Sequence, residues 1–107
     1  MLSPWETKVQ GVDYLAPTDG FVLAGVIINS GSSDANAGLK GYTDNISHPL
    51  TVRGLACVRR ILPGTQNGQD SFTMPVRKGN YWRVDYEIIE GSVSYSIEFI
   101  PLGTNNP

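Results

Sequence analysis

The sequence is poor in the residues on which small enzymes and cross-linked domains depend. Its 107 residues include one cysteine, Cys57, and one histidine, His48. A single cysteine forms no intrachain disulfide, so the fold must be stabilised by its core or by neighbouring subunits. A single histidine excludes multi-histidine metal sites, and any Ser-His-Asp or Cys-His chemistry would have to use His48. We therefore predict no catalytic residue, no cofactor and no metal; His48 is expected to be a solvated loop residue and Cys57 a buried structural thiol.

Excess positive charge and long apolar runs are also absent. The formal net charge is -2, and the basic residues form no stripe of the kind that binds nucleic acid. No apolar run reaches the length of a membrane helix, and the first residues lack the character of a signal peptide. The apolar content of 40% is enough for a core. We expect one small domain that neither binds nucleic acid nor inserts into a membrane.

What is abundant indicates strands and turns. Glycine (12) and proline (7) are frequent, and helix periodicity is absent. Apolar residues alternate over 81–88, placing Trp82, Val84, Tyr86 and Ile88 on one face, and alternate again over 93–99 after a turn at Glu90-Gly91. The two runs predict an antiparallel hairpin, and segments 72–76 and 50–62 predict further strands. We predict an all-β, antiparallel, jelly-roll-like β-sandwich at 12–103, with an N-terminal arm at 1–11 and a flexible tail at 104–107.

The segment 21–28 is apolar on both of its strand faces. A strand without a polar side is covered twice, once by its own core and once by something else. The second cover could be another subunit or the loop 29–40 folded over the strand, and we favour the subunit because an uncovered stripe would invite aggregation. The residues predicted at this oligomer interface are Trp5 of the arm, Phe21, Val22, Leu23, Val26 and Ile28.

A ligand site is predicted in the polar segments that also carry aromatic residues. An aromatic ring can pack on the C–H groups of a sugar while amides and carboxylates bind its hydroxyls, although the same residues suit a protein interface. Calcium is a further option, but the acidic residues are sparse for a calcium loop. The candidates are Asp34, Asn36, Tyr42, Asp44, Asn45, His48 and Tyr81.

Three segments carry a family resemblance: 16–22 with its Pro-Thr-Asp-Gly turn, 73–82 around Lys-Gly-Asn, and the closing strand 97–103. In this order they resemble the small C-terminal β-domains of bacteriophage and prophage tail-fibre proteins, which are similar to the jelly-roll heads of the tumour-necrosis-factor and complement type. The resemblance implies a non-enzymatic homotrimer on the virion, made in the bacterial cytoplasm, that contacts a host-surface glycan or other virion proteins.

Two other classes of function stay open on the sequence. One is a bacterial carbohydrate-binding module without a virion role. The other is a small hydrolase or isomerase on a cupin-like barrel, for which His48 would be the only histidine able to bind a metal.

Overall fold

The part of the chain that the structure describes forms nine β-strands. The structure is a computed structural model that describes residues 5–29, 34–61 and 64–102, except the side chains of 64–67; the predicted tail at 104–107 lies outside them. These residues contain no helix, and so none that could span a membrane. The strands are β1 (Glu6–Thr7), β2 (Tyr14–Leu15), β3 (Gly20–Ile28), β4 (Ala35–Asp44), β5 (Val52–Ile61), β6 (Gly64–Asn67), β7 (Gln69–Val76), β8 (Tyr81–Glu90) and β9 (Val93–Pro101).

Two sheets pack face to face as a β-sandwich. The four-stranded sheet has the order β1-β9-β3-β7, and the five-stranded sheet has the order β2-β8-β4-β5-β6. Every pairing is antiparallel, and β1 with β9, β2 with β8, β3 with β7 and β4 with β5 are nested pairs. Such nesting is what results when one long hairpin is rolled up, which is the jelly-roll topology. The predicted fold class is confirmed.

The core lies between the inner faces of the two sheets. The indole of Trp82 stacks on Tyr14 with ring centroids 4.7 Å apart and on Phe99 at 6.0 Å, so one side chain joins the sheets. Alternation along each strand supplies the remaining buried residues. Those contributed by the long strands include Val22, Ala24, Val26, Ala37, Leu39, Ala56, Val58, Met74, Val76, Val84 and Ile97.

Two sequence expectations about strand faces are wrong. Ile88 was expected on the inner face of β8 with Trp82, but it is 46% exposed. A bulge at Glu87 is the cause: Tyr86 pairs with Leu39 while Ile88 pairs with Gly38, so an extra residue interrupts the alternation. Cys57, expected to be buried, is exposed because its neighbours Ala56 and Val58 take the inward positions of β5.

Glycines create the space in which one aromatic ring fits between the sheets. Gly41 and Gly54 face each other on β4 and β5, and the register of the two strands shifts immediately beyond them. A Cβ atom on Gly41 would lie 2.6 Å from Cε1 of Phe72, and one on Gly54 would overlap the same ring. Gly54 thus marks an irregularity of β5, as glycine inside a strand often does, and it accommodates Phe72 of the opposite sheet.

The connections between strands lie at two opposite ends of the sandwich. Segments 16–19, 45–51 and 77–80 meet at one end, which we call the 45–51 end, and Asp19 Oδ1 there accepts a hydrogen bond of 2.8 Å from the N–H of Lys78. The turns at 29 and 91–92 lie at the other end, where the N–H of Asn29 donates to the carbonyl of Ser92. Ten residues of β4, at about 3.3 Å each, separate the two ends by roughly 30 Å.

Candidate functional site

The predicted oligomer interface is divided between the two sides of β3. Val22 and Val26 point into the core and are already fully covered within one chain. Phe21 and Leu23 point outward, as does Ile27, which the sequence prediction omitted. Ile28 is half-buried against the core. A second subunit could therefore contact Phe21, Leu23 and Ile27, whereas the side chains of Val22 and Val26 are occupied by folding alone.

Trp5, the arm residue of that prediction, is exposed just before β1. Glu6 and Thr7 pair with Phe99 and Glu98 of β9, so this part of the predicted arm lies along its own four-stranded sheet.

The outer face of the four-stranded sheet changes from apolar to hydroxyl-rich along β3. Phe21 lies between Pro75 and Ile100, and at the next outward position Leu23 lies between Thr73 and Glu98. Farther along, Gly25 lies between Ser71 and Ser96, and a shallow groove of about 520 Å³ opens above it. Among the described outward positions of β3, β7 and β9, Glu98 is the only charged residue. We call this surface the apolar face.

The described chain leaves the apolar face uncovered. Phe21 is 37% exposed and Ile27 is 45% exposed. The alternative cover considered for β3 was the segment 29–40, but Ala35–Asp44 forms β4 in the middle of the opposite sheet. A strand hydrogen-bonded on both sides there cannot fold back over β3, so the intrachain explanation is wrong for residues 35–40.

The outer face of the five-stranded sheet, in contrast, carries charges that are paired within the chain. We call it the charged face. Arg83 projects from β8 between two carboxylates: its Nε donates to Asp85 Oδ2 at 2.7 Å and its Nη1 to Asp13 Oδ1 at 3.0 Å. Its Cζ lies 4.6 Å from the centroid of the Tyr42 ring, and the side chain is only 8% exposed. On the same face, Lys40 forms an ion pair of 3.0 Å with Glu87.

Hydrogen bonds determine the electrostatics of the Arg83 cluster. The pKa of Asp13 is lowered by its hydrogen bonds to His48 and to Arg83. Burial favours a lower pKa for Arg83, but the hydrogen bonds to Asp85 and Asp13 outweigh it and raise that pKa. Asp13 is therefore ionised and Arg83 is charged at neutral pH. Since the guanidinium is already shared by two carboxylates, this cluster holds strands and loops together rather than offering a free cation.

His48 is the solvated loop residue that the sequence predicts, and it also has a partner. It is exposed in the loop 45–51, but its Nδ1 lies 2.9 Å from Asp13 Oδ2 and 3.1 Å from Arg83 Nη1. When Nδ1 carries a proton, it donates a hydrogen bond to Asp13 Oδ2. The same nitrogen then has no lone pair that could accept a hydrogen bond from Arg83. With the proton on Nδ1, His48 ties its loop to the segment before β2.

Asp44 shapes the same loop. Its Oδ1 accepts the N–H of Ile46 at 3.0 Å, and its Oδ2 accepts those of Leu50 at 2.9 Å and Thr51 at 3.0 Å. Burial raises the pKa of Asp44, but these hydrogen bonds outweigh it, and the pKa is lowered. The carboxylate therefore orders the loop 45–51, although the sequence placed it in a ligand site.

The seven predicted ligand residues do not form one site. Tyr42, Asp44, Asn45, His48 and Tyr81 lie at or near the 45–51 end, where Tyr81 pairs with Asp44 and its carbonyl accepts the hydroxyl of Thr43. Asp34 and Asn36 lie at the start of β4, at the opposite end. The calcium option fails for the combined set, because one ion cannot span the sandwich. Within the described ranges, no three His, Cys, Asp or Glu side chains are grouped as a metal site would require.

A pocket at the 45–51 end combines the predicted ligand residues Asp44 and Asn45 with residues that the sequence pattern does not indicate. It has a volume of about 680 Å³ and is lined in part by Arg53, Arg77, Asn45 and Asn80. Arg53 lies immediately before Gly54, and Arg77 lies immediately after β7. The two arginines are 24 positions apart along the chain. The only local signal for them was the Lys-Gly-Asn turn beside Arg77.

Comparisons with known proteins find no relative. No family model matches the chain. No curated protein and no solved structure matches it significantly.

Proposed function

We propose that this chain is a non-enzymatic, self-associating module of a phage or prophage particle, located at a tail fibre or elsewhere on the virion surface. It assembles as a homotrimer through the apolar face and uses loops at one end of the sandwich to contact a host-surface glycan. The observation that carries the proposal is the outward row of Phe21, Leu23 and Ile27 on β3, a strand flanked on both sides by other strands of its sheet.

Physical chemistry supports self-association of this surface. Apolar surface that is removed from water contributes about 25 cal/mol per Å². The apolar face gains this contribution without burying an ion pair, because Glu98 is the only charge on its described positions. The charged face would have to strip water from Arg83, Asp85, Lys40 and Glu87, which costs free energy. Association is therefore expected through the apolar face.

The virion role is supported by the fold and by the sequence resemblance. Double-sheet jelly rolls serve as viral capsid domains and as lectin domains, and three segments resemble tail-fibre domains. Assembly would also bring several copies of the 45–51 end together, so weak individual contacts with a glycan would combine into useful avidity.

The second candidate is a bacterial carbohydrate-binding module without a virion role. The pocket at the 45–51 end fits both candidates, because a small-ligand pocket typically spans about 300–1,000 Å³. The exposed apolar row favours the first candidate, because on a module that works as a monomer such a row would only promote aggregation.

The test of assembly is the molar mass in solution. The wild-type chain is expected at three times its 11.6 kDa mass by light scattering. The variant Leu23→Arg places a charge on the apolar face beside Glu98, so the variant should fold and yet run as a single chain. The matched control is Leu55→Arg on the charged face, where Leu55 is 62% exposed, and it should keep the wild-type mass.

A wild-type protein that remains at 11.6 kDa at every accessible concentration would contradict the assembly. The virion part has its own test: particles induced from the encoding bacterium are expected to contain this chain when their proteins are identified by mass spectrometry. Its absence from those particles would favour the carbohydrate-binding module.

A further inference from the structure

We infer that the pocket at the 45–51 end binds an acidic sugar, with Arg53 and Arg77 holding its anionic group. The inference deepens the glycan-binding part of the proposed function and rests on it. Both arginines line the pocket together with Asn45 and Asn80. Three separate parts of the chain meet there: the β4–β5 loop, the start of β5 and the β7–β8 turn.

The two guanidinium groups are exposed and, among the described residues, neither forms a hydrogen bond or an ion pair. Three other cations are paired: Arg83 is held by Asp13 and Asp85, Lys40 by Glu87 and Lys8 by Glu6. The side chains of Arg59 and Lys78 are also unpaired among the described residues, but they do not line the pocket. A guanidinium presents several N–H donors in one plane, which matches a carboxylate or a phosphate with paired hydrogen bonds. Arg53 and Arg77 therefore keep their full donor capacity for a ligand.

Among the described residues, one carboxylate lines the pocket, and it does not cancel these charges. Asp44 uses both oxygens to accept backbone N–H groups of Ile46, Leu50 and Thr51. Two guanidinium charges against one such carboxylate leave the pocket with a net positive charge, on a chain whose overall formal charge is -2. A small anion is thus attracted locally although the protein as a whole is acidic.

Amides beside the arginines indicate a sugar rather than a bare anion. Asn45 and Asn80 carry side chains that both donate and accept, as the hydroxyl groups of a sugar require. The backbone of Asn80 is fixed by its N–H bond to the carbonyl of Arg77 and by its carbonyl, which accepts the N–H of Ala16. The volume of about 680 Å³ exceeds that of one monosaccharide, so a terminal or internal residue of a longer glycan also fits.

The experiment is a titration of the full chain, followed by amide chemical shifts, with four probes: glucuronate, glucose 6-phosphate, glucose and inorganic phosphate. We expect at least one of the two acidic sugars to bind at least about tenfold more tightly than glucose and than inorganic phosphate. The shifted amides should be those of Thr43, Asn45 and Asn80, and added salt should weaken the binding. The two acidic probes distinguish a carboxylate from a phosphate as the charged group.

Variants separate the pocket from general surface charge. Arg53→Gln and Arg77→Gln are each expected to weaken binding of the acidic sugar about tenfold. Arg59→Gln removes the same charge from the same strand, but Arg59 pairs with Asn36 toward the opposite end and should leave affinity unchanged. Equal binding of glucose and both acidic sugars, equal binding of inorganic phosphate, or an equal loss in Arg59→Gln would each overturn the inference.

Light scattering on the same samples distinguishes failure of the assembly proposal from failure of the pocket inference. If no acidic sugar binds while the mass is three times that of one chain, the pocket inference fails and the assembly stands. If an acidic sugar binds to a protein that stays at 11.6 kDa, the assembly fails and the inference stands.

Discussion

The two outer faces of the sandwich differ in the character of the side chains that point outward. On the charged face, Arg83 and Lys40 are paired with carboxylates of the same chain, and an apolar residue such as Leu55 stands beside the charged Lys40. On the apolar face, Phe21 lies between Pro75 and Ile100, and Leu23 is the next outward residue of the same strand. The most buried charge of one face is paired within a single chain, whereas the other face leaves Phe21 and Ile27 exposed.

The largest expected effect concerns the charged face. Arg83→Met keeps the aliphatic packing on Tyr42 but leaves Asp13 and Asp85 without their shared cation. We expect the free energy of unfolding in urea to fall by about 2–3 kcal/mol. The control Arg59→Met, an exposed arginine on the same face, should change it by less than about 0.5 kcal/mol. Equal losses in the two variants would mean that pairing is not what completes this face.

A smaller effect is expected on the pH dependence of the free energy of unfolding. The pKa of Asp13 in the folded chain lies below its ordinary value of 3.8. The unfolded chain therefore takes up the proton first as the pH falls. The stability that Asp13 gains from its hydrogen bonds to His48 and Arg83 is present above about pH 4, and it is lost as the pH falls through the folded-state pKa of Asp13.

Asp13→Asn removes that dependence. We expect its stability to decline less steeply than that of the wild type between about pH 6 and about pH 3, when urea unfolding is followed at both values. A decline as steep as in the wild type would place the acid sensitivity elsewhere.

The smallest effect is expected at His48. His48→Gln loses one exposed hydrogen bond to Asp13, which is worth about 0.5 kcal/mol. Amide exchange in the loop 45–51 should nevertheless increase, because the loop loses its tie to the segment before β2. If exchange there is unchanged while global stability falls, His48 contributes to the core of the fold rather than to the loop.

The sequence predicted the fold class because alternation is a local property. Period two alone places Trp82 with Val84, and Ile97 with Phe99, on one face of their strand, and the structure buries all four. Ile88 was misassigned because the bulge at Glu87 is set by pairing with β4, which a single strand does not reveal. Alternation could also have separated Val22 and Val26 from Phe21 and Leu23, but which set faces outward depends on where the second sheet lies.

The candidate sites were less predictable because they combine distant parts of the chain. Arg83 and Asp13 are 70 positions apart, and His48 reaches Asp13 across 35. Arg53 and Arg77 share a pocket only because the β4–β5 loop and the β7–β8 turn meet at one end of the sandwich. Apart from the Lys-Gly-Asn turn beside Arg77, nothing in the local sequence distinguishes Asp13, Arg53 or Arg77 from ordinary surface residues.

The most direct test of the central claim is hydroxyl-radical footprinting of the wild-type chain at high and low protein concentration. Assembly through the apolar face should protect Phe21, Leu23 and Ile27 at high concentration and leave them open to oxidation on dilution, while Leu55 is oxidised equally at both. Equal oxidation of Phe21, Leu23 and Ile27 at both concentrations, or protection of Leu55 instead, would contradict assembly through the apolar face.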